Sequence, residues 1–273
     1  MKFTKMHGAG NDFIIINNIE EKIALQDLPA LAKKLCTPRL SISADGMMVV
    51  VPAEKGGDYA MLFYNSDGSL GEMCGNGARC ICRYGYEKGL AGETQRVETT
   101  AGLVTGQRIS QTDYRIRLND ATVIKPHCNV NIGGKNYDCA YVELGNPSIP
   151  HASVELKGWE DMARDELREL GRRLRFAPEF PKGANVSFVD LKSTSSVDII
   201  TFERGVEDFT LACGTGCGST AVALFTRRKC GRELLLHAPG GELNVELGGE
   251  NDEISDIYLS GPTCMVFEGE TIE

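Results

Sequence analysis

The sequence predicts an α+β fold of two pseudo-symmetric halves, and three observations lead to this prediction. Short runs of β-type residues are separated by turns rich in Gly, Asp, Asn and Pro, which favours antiparallel pairing over long crossovers. Two helical segments each follow the phrase Cys-Gly-x-Gly, at Cys74 and again at Cys213. Asn65 precedes Cys74 by the same number of residues as Arg204 precedes Cys213. Ordered landmarks at a nearly constant offset indicate two copies of one strand–loop–helix design.

Each half is therefore expected to be a mostly antiparallel, β-barrel-like sheet around a central helix, with the active site in the cleft between the halves. The chain has 273 residues, enough for two modest domains with their own cores. We assign residues 1–121 and a C-terminal strand, 261–273, to the N-terminal half that carries Cys74. Residues 122–260 form the half that carries Cys213.

The elements follow from local patterns. Helices are predicted over residues 28–36, 75–88, 159–174 and 214–228. The helix at 159–174 is amphipathic and is expected on the outside, whereas 214–228 is small or apolar nearly all round and is expected to be buried. Strands are predicted over residues 14–17, 47–51, 59–64, 96–99, 114–118, 137–144, 186–191, 197–202, 233–237, 243–247, 257–260 and 264–267.

Composition excludes several classes of function. The chain is 42% hydrophobic and 25% charged, with a net charge of −9, and it has no basic stripe. Such a chain is a poor ligand for nucleic acids and for anionic membranes. No run of 18 apolar residues and no signal-peptide pattern occurs, so we expect a cytoplasmic protein whose ten cysteines are reduced.

Cysteines at two glycine-rich helix starts indicate a particular chemistry. The positive field of a helix N-terminus lowers the pKa of a thiol, and glycines let backbone amides approach a carboxylate. Two such sites facing one cleft suit a symmetric reaction. Racemisation is such a reaction, because one group removes a proton from a carbon while another delivers a proton to its opposite face. No lysine-anchored cofactor motif is evident, so we expect neither a cofactor nor a metal.

Six segments in order carry a resemblance to a known family. They are MHGAGNDF (6–13), YNSDGS (64–69), MCGNGARC (73–80), GNP (145–147), ERG (203–205) and ACGTG (212–216). Together they resemble the diaminopimelate epimerase family over nearly the whole chain. The resemblance implies cofactor-independent interconversion of LL- and meso-2,6-diaminopimelate, on the way to lysine and peptidoglycan. We also expect a small amino-acid substrate and a homodimer.

The resemblance also implies the site residues. It identifies Cys74 and Cys213 as the acid/base pair, with Glu203 and His151 as further catalytic residues. Arg204 suits bidentate capture of a carboxylate and Glu203 suits an ammonium group. The substrate-binding set is Asn11, Asn65, Gly75, Asn76, Asn146, Asn185, Glu203, Arg204, Gly214 and Thr215.

The chain departs from the family pattern in two places. Gly46 stands where the family commonly has Gln, and Ser148 stands where the family usually has His after GNP. His151 follows three residues later. Either a three-residue insertion presents this histidine in the usual role, or the role has lapsed; we favour the insertion.

Three other functions remain open. The two departures keep a related racemase for another amino acid, such as lanthionine or histidine, under consideration. A phenazine-biosynthesis-like isomerase shares the two-lobed architecture but lacks the paired cysteines. A redox or zinc module would use the thiols, although the spacing of Cys74, Cys80 and Cys82 is not typical of zinc ligands.

Overall fold

The computed structural model describes residues 1–71, 74–145 and 148–272. The helices are α1 (Asn18–Glu21), α2 (Leu28–Cys36), α3 (Gly75–Glu87), α4 (Arg164–Arg175) and α5 (Gly214–Thr226), with 3-10 turns at Leu25–Asp27 and Trp159–Asp161. The strands are β1 (Lys2–Gly8), β2 (Asn11–Asn17), β3 (Gly46–Val51), β4 (Tyr59–Asn65), β5 (Thr94–Thr99), β6 (Gly102–Arg108), β7 (Asp113–Arg117), β8 (Ala121–Ile132), β9 (Lys135–Leu144), β10 (Ile149–Glu155), β11 (Asn185–Leu191), β12 (Ser196–Glu203), β13 (Asp208–Thr210), β14 (Glu233–Ala238), β15 (Gly241–Leu247), β16 (Ile257–Pro262) and β17 (Cys264–Glu270).

The chain forms two compact units. Unit 1 comprises residues 1–116 and 260–273, and unit 2 comprises residues 117–259. These units are defined by contacts alone, so the domain limits predicted from the sequence stay a prediction. None of the helices in the described ranges combines the length and the apolar character that crossing a membrane requires.

The two units share one order of strand pairing. In unit 1, β1–β2 is antiparallel, β2–β3 parallel, β3–β4 antiparallel, β4–β5 parallel and β5–β6 antiparallel. In unit 2, the same alternation runs through β9–β10, β10–β11, β11–β12, β12–β14 and β14–β15. In both units the chain forms a helix between the first and the second strand of each parallel pair, because parallel strands need a long crossover connection. This shared order confirms the internal repeat and the α+β class.

Each unit has one buried helix and one outer helix. In unit 1, α3 packs against β1, β2 and β6 and is buried along most of its length, while α2 covers β3 and β4. In unit 2, α5 packs against β8–β11, β14 and β15, and α4 covers β8 and β11–β13. The outer helices seal apolar clusters, to which α2 contributes Leu28 and Leu35, and α4 contributes Leu167 and Leu174.

Close packing of α3 against its sheet depends on a glycine. A Cβ added to the buried Gly85 would lie 2.7 Å from Gln95 Oε1 and 2.8 Å from Tyr59 Cε1. The Tyr59 hydroxyl donates to Ile81 O at 2.9 Å and to Gln95 Oε1 at 2.8 Å. A side chain at position 85 would therefore separate the hydrogen-bonded groups that join α3 to β4 and β5.

Some predicted elements differ from the structure. The helix predicted from residue 159 begins at Arg164, because residues 159–161 form a 3-10 turn and Met162 and Ala163 are extended. Trp159 is only 7% exposed, so its side chain pulls this turn into the core and away from the helical path. Strand β8 was not predicted, although Cys128, Val130 and Ile132 alternate with exposed asparagines in its second half and pack against the core of unit 2.

We predict that Gly85→Ala lowers the free energy of unfolding by about 1–3 kcal/mol, the usual effect of overpacking a core. Urea unfolding of the variant measures this change. Gly92→Ala is the matched control in the same unit, because an added Cβ at Gly92 meets nothing within 4 Å. Equal effects of the two substitutions would contradict the packing argument.

Candidate active site

Both candidate catalytic cysteines occupy the N-cap positions of the buried helices. Cys74 precedes α3 with φ −107° and ψ 124°, and Cys213 precedes α5 with φ −114° and ψ 109°. The first helical hydrogen bonds join Ala78 N to Cys74 O at 2.8 Å and Cys217 N to Cys213 O at 2.9 Å. Neither cysteine side chain caps its helix, so the first-turn amides remain oriented toward an anion at each helix start.

In unit 1, a chain of hydrogen bonds positions the groups around Cys74. The partly exposed Cys74 thiol donates to Asn11 Oδ1 at 3.3 Å. Asn11 Nδ2 donates to Asp45 Oδ2 at 2.6 Å, and Asp12 N donates to the same carboxylate oxygen at 3.2 Å. The sequence did not identify Asp45, because an Asp that precedes Gly is typical of an ordinary turn.

Asn76 is held from behind by a buried arginine. Arg79 is 0% exposed, and its Nη2 donates to Asn76 Oδ1 at 2.9 Å while Nη1 donates to Gly75 O at 3.4 Å. These bonds fix the first turn of α3, whose amides are candidates for carboxylate binding. The sequence did not identify Arg79, since an arginine in a helix is usually exposed.

Gly46 has a structural reason for replacing the family's Gln. Gly46 pairs with Asn65 across β3 and β4, and Asn65 Nδ2 donates to Ser69 Oγ at 2.9 Å. A Cβ at position 46 would lie 2.9 Å from both Phe63 Cζ and Tyr64 O. The ring of Phe63 therefore occupies the space that a longer side chain would need.

In unit 2, burial decides the state of the Cys213 thiol. Cys213 is 8% exposed, and burial followed by the nearby Glu203 carboxylate raises its pKa well above the ordinary value. The Thr215 hydroxyl and the Gly216 amide lower the pKa by hydrogen bonding, but to a smaller extent. The expectation that the helix start lowers this pKa is wrong for Cys213, because desolvation outweighs the hydrogen bonds from Thr215 and from the first-turn amide of Gly216.

The predicted Glu203, Arg204 and Asn185 are close together in unit 2. Arg204 N donates to Asn185 Oδ1 at 2.7 Å, and Arg204 Nη1 donates to Lys182 O at 3.2 Å. Thr210 Oγ1 donates to the Glu203 carboxylate. Asn185 thus binds the backbone at the end of β12, where Glu203 and Arg204 are consecutive residues. Asn146 lies outside the described residues.

His151 is completely buried on β10, opposite Asn185 on β11. Neither ring nitrogen has a hydrogen-bond partner among the described residues. Burial, and then the charge of Arg204, lower the His151 pKa to about 3. At neutral pH the imidazole is therefore uncharged, and it cannot act as a cationic acid.

Ser148 belongs to a separate polar cluster. The Ser148 hydroxyl, the Tyr141 hydroxyl at 2.7 Å and Lys182 Nζ at 2.9 Å all donate to the buried Glu143 carboxylate. These bonds, the one from Ser148 first, lower the Glu143 pKa to about 2. The residue in the place of the family's His thus binds a buried carboxylate of its own unit.

The remaining thiols near Cys74 differ from it in environment. Cys80 and Cys82 are fully buried, and burial raises the pKa of each to about 12. Across the described ranges, no three His, Cys, Asp or Glu side chains are grouped as metal ligands would be.

The buried neutral His151 makes stability depend on pH. Its folded-state pKa is depressed, so the unfolded chain binds more protons between about pH 3 and 6.5, and stability is lost as the pH falls through this range. Between about pH 7.5 and about pH 4 we expect the free energy of unfolding of wild type to fall by about 3 kcal/mol more than that of His151→Leu. Urea unfolding at both pH values measures this. His127→Leu, at a side chain 66% exposed, is the control, and parallel losses in wild type and His151→Leu would refute the prediction.

Comparisons with known proteins agree over almost the whole chain. The family model described as diaminopimelate epimerase matches residues 3–121 and 142–266. A diaminopimelate epimerase of Caldanaerobacter subterraneus is 37% identical, covering 99% of each chain. Another, of Desulfitobacterium hafniense, is 33% identical and covers 100% of this chain and 99% of its own.

Solved structures agree on the fold. A PhzF-family phenazine biosynthesis protein of Bacillus anthracis superposes with a TM-score of 0.74 at 14% identity, covering 100% of this chain and 99% of its own. A hydroxyproline epimerase of Agrobacterium vitis superposes with a TM-score of 0.72 at 17% identity, covering 98% and 90%. At such low identity these likenesses establish the architecture alone, whereas the matches of sequence establish that the chain belongs to the diaminopimelate epimerase family.

Proposed function

We propose that the protein interconverts LL- and meso-2,6-diaminopimelate, with Cys74 and Cys213 as the acid/base pair. Family membership over the whole length supports the reaction. The observation that carries the mechanism is the equivalent N-cap position of the two cysteines in two units of the same strand order. Epimerisation needs one proton-transfer group on each face of the carbon, and two equivalent helix starts that each carry a cysteine support this assignment.

In the proposed step, one thiolate takes the α-proton and becomes a thiol, and the electron pair of the C–H bond remains on the α-carbon. The other thiol then delivers its proton to the opposite face and becomes a thiolate. The proton count of the pair is unchanged, so the reverse reaction exchanges the two roles. Amides of Gly75, Asn76, Gly214 and Thr215 would bind the α-carboxylate, whose charge increases as the carbanion forms.

The surroundings of the two thiols support a starting assignment. Burial and Glu203 favour the protonated form of Cys213, so Cys213 is the group ready to give a proton. Cys74 is partly exposed at a helix start, so its thiol can lose to solvent the proton that it donates to Asn11 Oδ1 and then act as the base. Glu203 serves here as a catalytic residue, because its negative charge favours the uptake of a proton from water by the Cys213 thiolate after each turnover, while Cys74 releases to water the proton that it took from the substrate.

The non-reacting end of the substrate requires a carboxylate partner and an ammonium partner. Arg204 suits the carboxylate, because Asn185 Oδ1 accepts from its backbone N–H and Lys182 O accepts from Nη1, while Nη2 has no hydrogen-bond partner among the described residues. Glu203 suits the ammonium group. Asn65, Asn146 and Asn185 complete the proposed contacts at this end. Asn11 would contact the substrate beside Cys74, and the neutral ring of His151 would assist the first thiol as a hydrogen-bonding group.

A second candidate is a related racemase for another amino acid, such as lanthionine or histidine. The observation that favours it is the replacement of a family Gln by Gly46, with an aromatic ring in the vacated space. The cytoplasmic location and the homodimer expected from the sequence stay predictions.

We predict that Cys74→Ala and Cys213→Ala each lower the turnover of diaminopimelate by about 1000-fold or more, since each removes one proton-transfer group. Solvent deuterium incorporation at the α-carbon measures the reaction. Cys264→Ala in unit 1 and Cys230→Ala in unit 2 are matched controls, because these thiols lie on an exposed strand and beyond α5. Substantial turnover by either site variant would exclude the two-thiol mechanism.

We predict that Arg204→Ala lowers kcat/KM for diaminopimelate by the equivalent of about 2–5 kcal/mol, the effect of removing one partner of a desolvated charge pair. Lysine lacks the distal carboxylate, so wild type should process lysine very poorly. The variant should discriminate much less between diaminopimelate and lysine. Arg172→Ala, in an exposed pair with Glu169, is the control. Equal activity of wild type on lysine and on diaminopimelate would overturn the substrate assignment.

A further inference from the structure

Two glycines of unit 1 enclose the ring of Phe63. A Cβ added to Gly46 would lie 2.9 Å from Phe63 Cζ, and a Cβ added to Gly71 would lie 2.5 Å from Cδ1 and 2.8 Å from Cε1. Neither glycine has a positive φ, so neither is required by backbone conformation. Both positions lack a side chain because the aromatic ring fills the space between them.

The ring shares a strand face with a proposed substrate residue. Phe63 and Asn65 are two residues apart on β4, so their side chains project from the same face. The position of a Cβ on Gly71 lies 3.5 Å from Asn65 Nδ2, and Gly46 is paired with Asn65 across the ladder. Phe63 is partly exposed, so one side of the ring is accessible beside the Asn65 amide.

On its other side the Phe63 ring contacts a second ring, which lies close to the start of the helix that carries Cys74. Phe63 and Phe13 pack edge to face, with ring centroids 6.0 Å apart. A Cβ on Gly77, in the first turn of α3, would lie 3.5 Å from Phe13 Cζ and 3.6 Å from Cys74 Cβ. The two rings thus form a continuous apolar layer from Asn65 to the helix start that carries Cys74.

We propose that Phe63 is a specificity-determining residue that forms an apolar wall of the substrate site beside the Asn65 amide. This proposal rests on the proposed function. A ring offers no hydrogen bond, so it accepts the unsubstituted methylenes of diaminopimelate and penalises a hydroxyl placed against it. The substrate class is therefore an α-amino acid with an apolar chain next to the reacting centre.

The first test measures substrate contact. Phe63→Ala should raise KM for diaminopimelate about fivefold to tenfold, with kcat changed less than about twofold. The reason is that the ring contacts the substrate equally in the ground state and in the transition state, so its loss weakens binding without slowing the chemical step. Phe63→Leu, which keeps apolar volume, should fall between Phe63→Ala and wild type. Unfolding midpoints of all variants establish that the fold is retained. An unchanged KM in a folded Phe63→Ala variant would overturn the proposal.

The second test measures selectivity. Wild type should prefer diaminopimelate over its 3-hydroxy derivative, and Phe63→Gln should reduce the ratio of the two kcat/KM values about tenfold, since the amide can bond the added hydroxyl. If the role of the ring were purely structural, the substitution would change kcat/KM for both substrates by the same factor. A ratio equal to that of wild type would therefore count against the wall.

A pair of matched double-mutant cycles separates packing from substrate contact. Gly46→Ala should destabilise the protein, and adding Phe63→Ala should restore much of the stability. Gly106→Ala with Cys82→Ala is the control cycle in the same unit, because a Cβ on Gly106 would clash with Cys82 Sγ, the atom that the alanine at position 82 removes. Both cycles should show steric rescue, but only the first should alter KM. A change in KM in both cycles would refute a specific role for Phe63.

The outcomes distinguish this inference from the proposed function. If wild type does not exchange the α-proton of diaminopimelate, the proposed function fails. If wild type is active on diaminopimelate while the Phe63 variants keep its KM and its selectivity ratio, only the inference fails. The rise of the unfolding midpoint on adding diaminopimelate, which should be smaller in Phe63→Ala than in wild type, gives a reading that does not depend on turnover.

Discussion

The structure depends on how two buried helices begin. A helix that starts inside a protein leaves its first amides without intrahelical partners, and Ser, Thr, Asp or Asn usually accepts from them. Here the N-cap residues are Cys74 and Cys213, whose side chains do not cap. Replacing a good cap costs a helix about 0.5–2 kcal/mol, so a cysteine at each of these positions gives up part of the stability that a capping side chain provides. In the proposed mechanism, amides of these first turns would bind the carboxylate of the substrate.

Two opposing effects then act on each thiol. The helix field favours the thiolate, whereas burial favours the thiol. At Cys213, burial and the neighbouring Glu203 outweigh the helix and raise the pKa. Cys74 is more exposed and donates to Asn11, which Asp45 holds in place. A duplicated fold thus contains two chemically unequal thiols, and a proton-transfer pair needs this inequality, because one member must hold a proton while the other lacks it.

The sequence predicted the parts of the fold and site that depend on local pattern. The repeated Cys-Gly-x-Gly phrase located both buried helices, and Leu28–Cys36 was predicted at its observed bounds. The residues that the sequence did not identify act across long separations. Asp45 accepts a hydrogen bond from Asn11, and Lys182 donates to Glu143. The residues of each pair are far apart in the sequence and become neighbours only in the fold. The pKa of Cys213 was mispredicted for the same reason, since burial is a property of the packed structure and no local motif encodes it.

The two departures from the family pattern have compensating changes in the same unit. At Gly46 the missing side chain is balanced by the ring of Phe63, which would clash with anything larger. At Ser148 the hydroxyl joins Lys182 in pairing the buried carboxylate of Glu143, a charge that would be costly if left alone. Substitutions that are compensated within a packed unit do not indicate a decayed site. They indicate local repacking, in which Phe63 and Glu143 are each matched to the residue at the departing position.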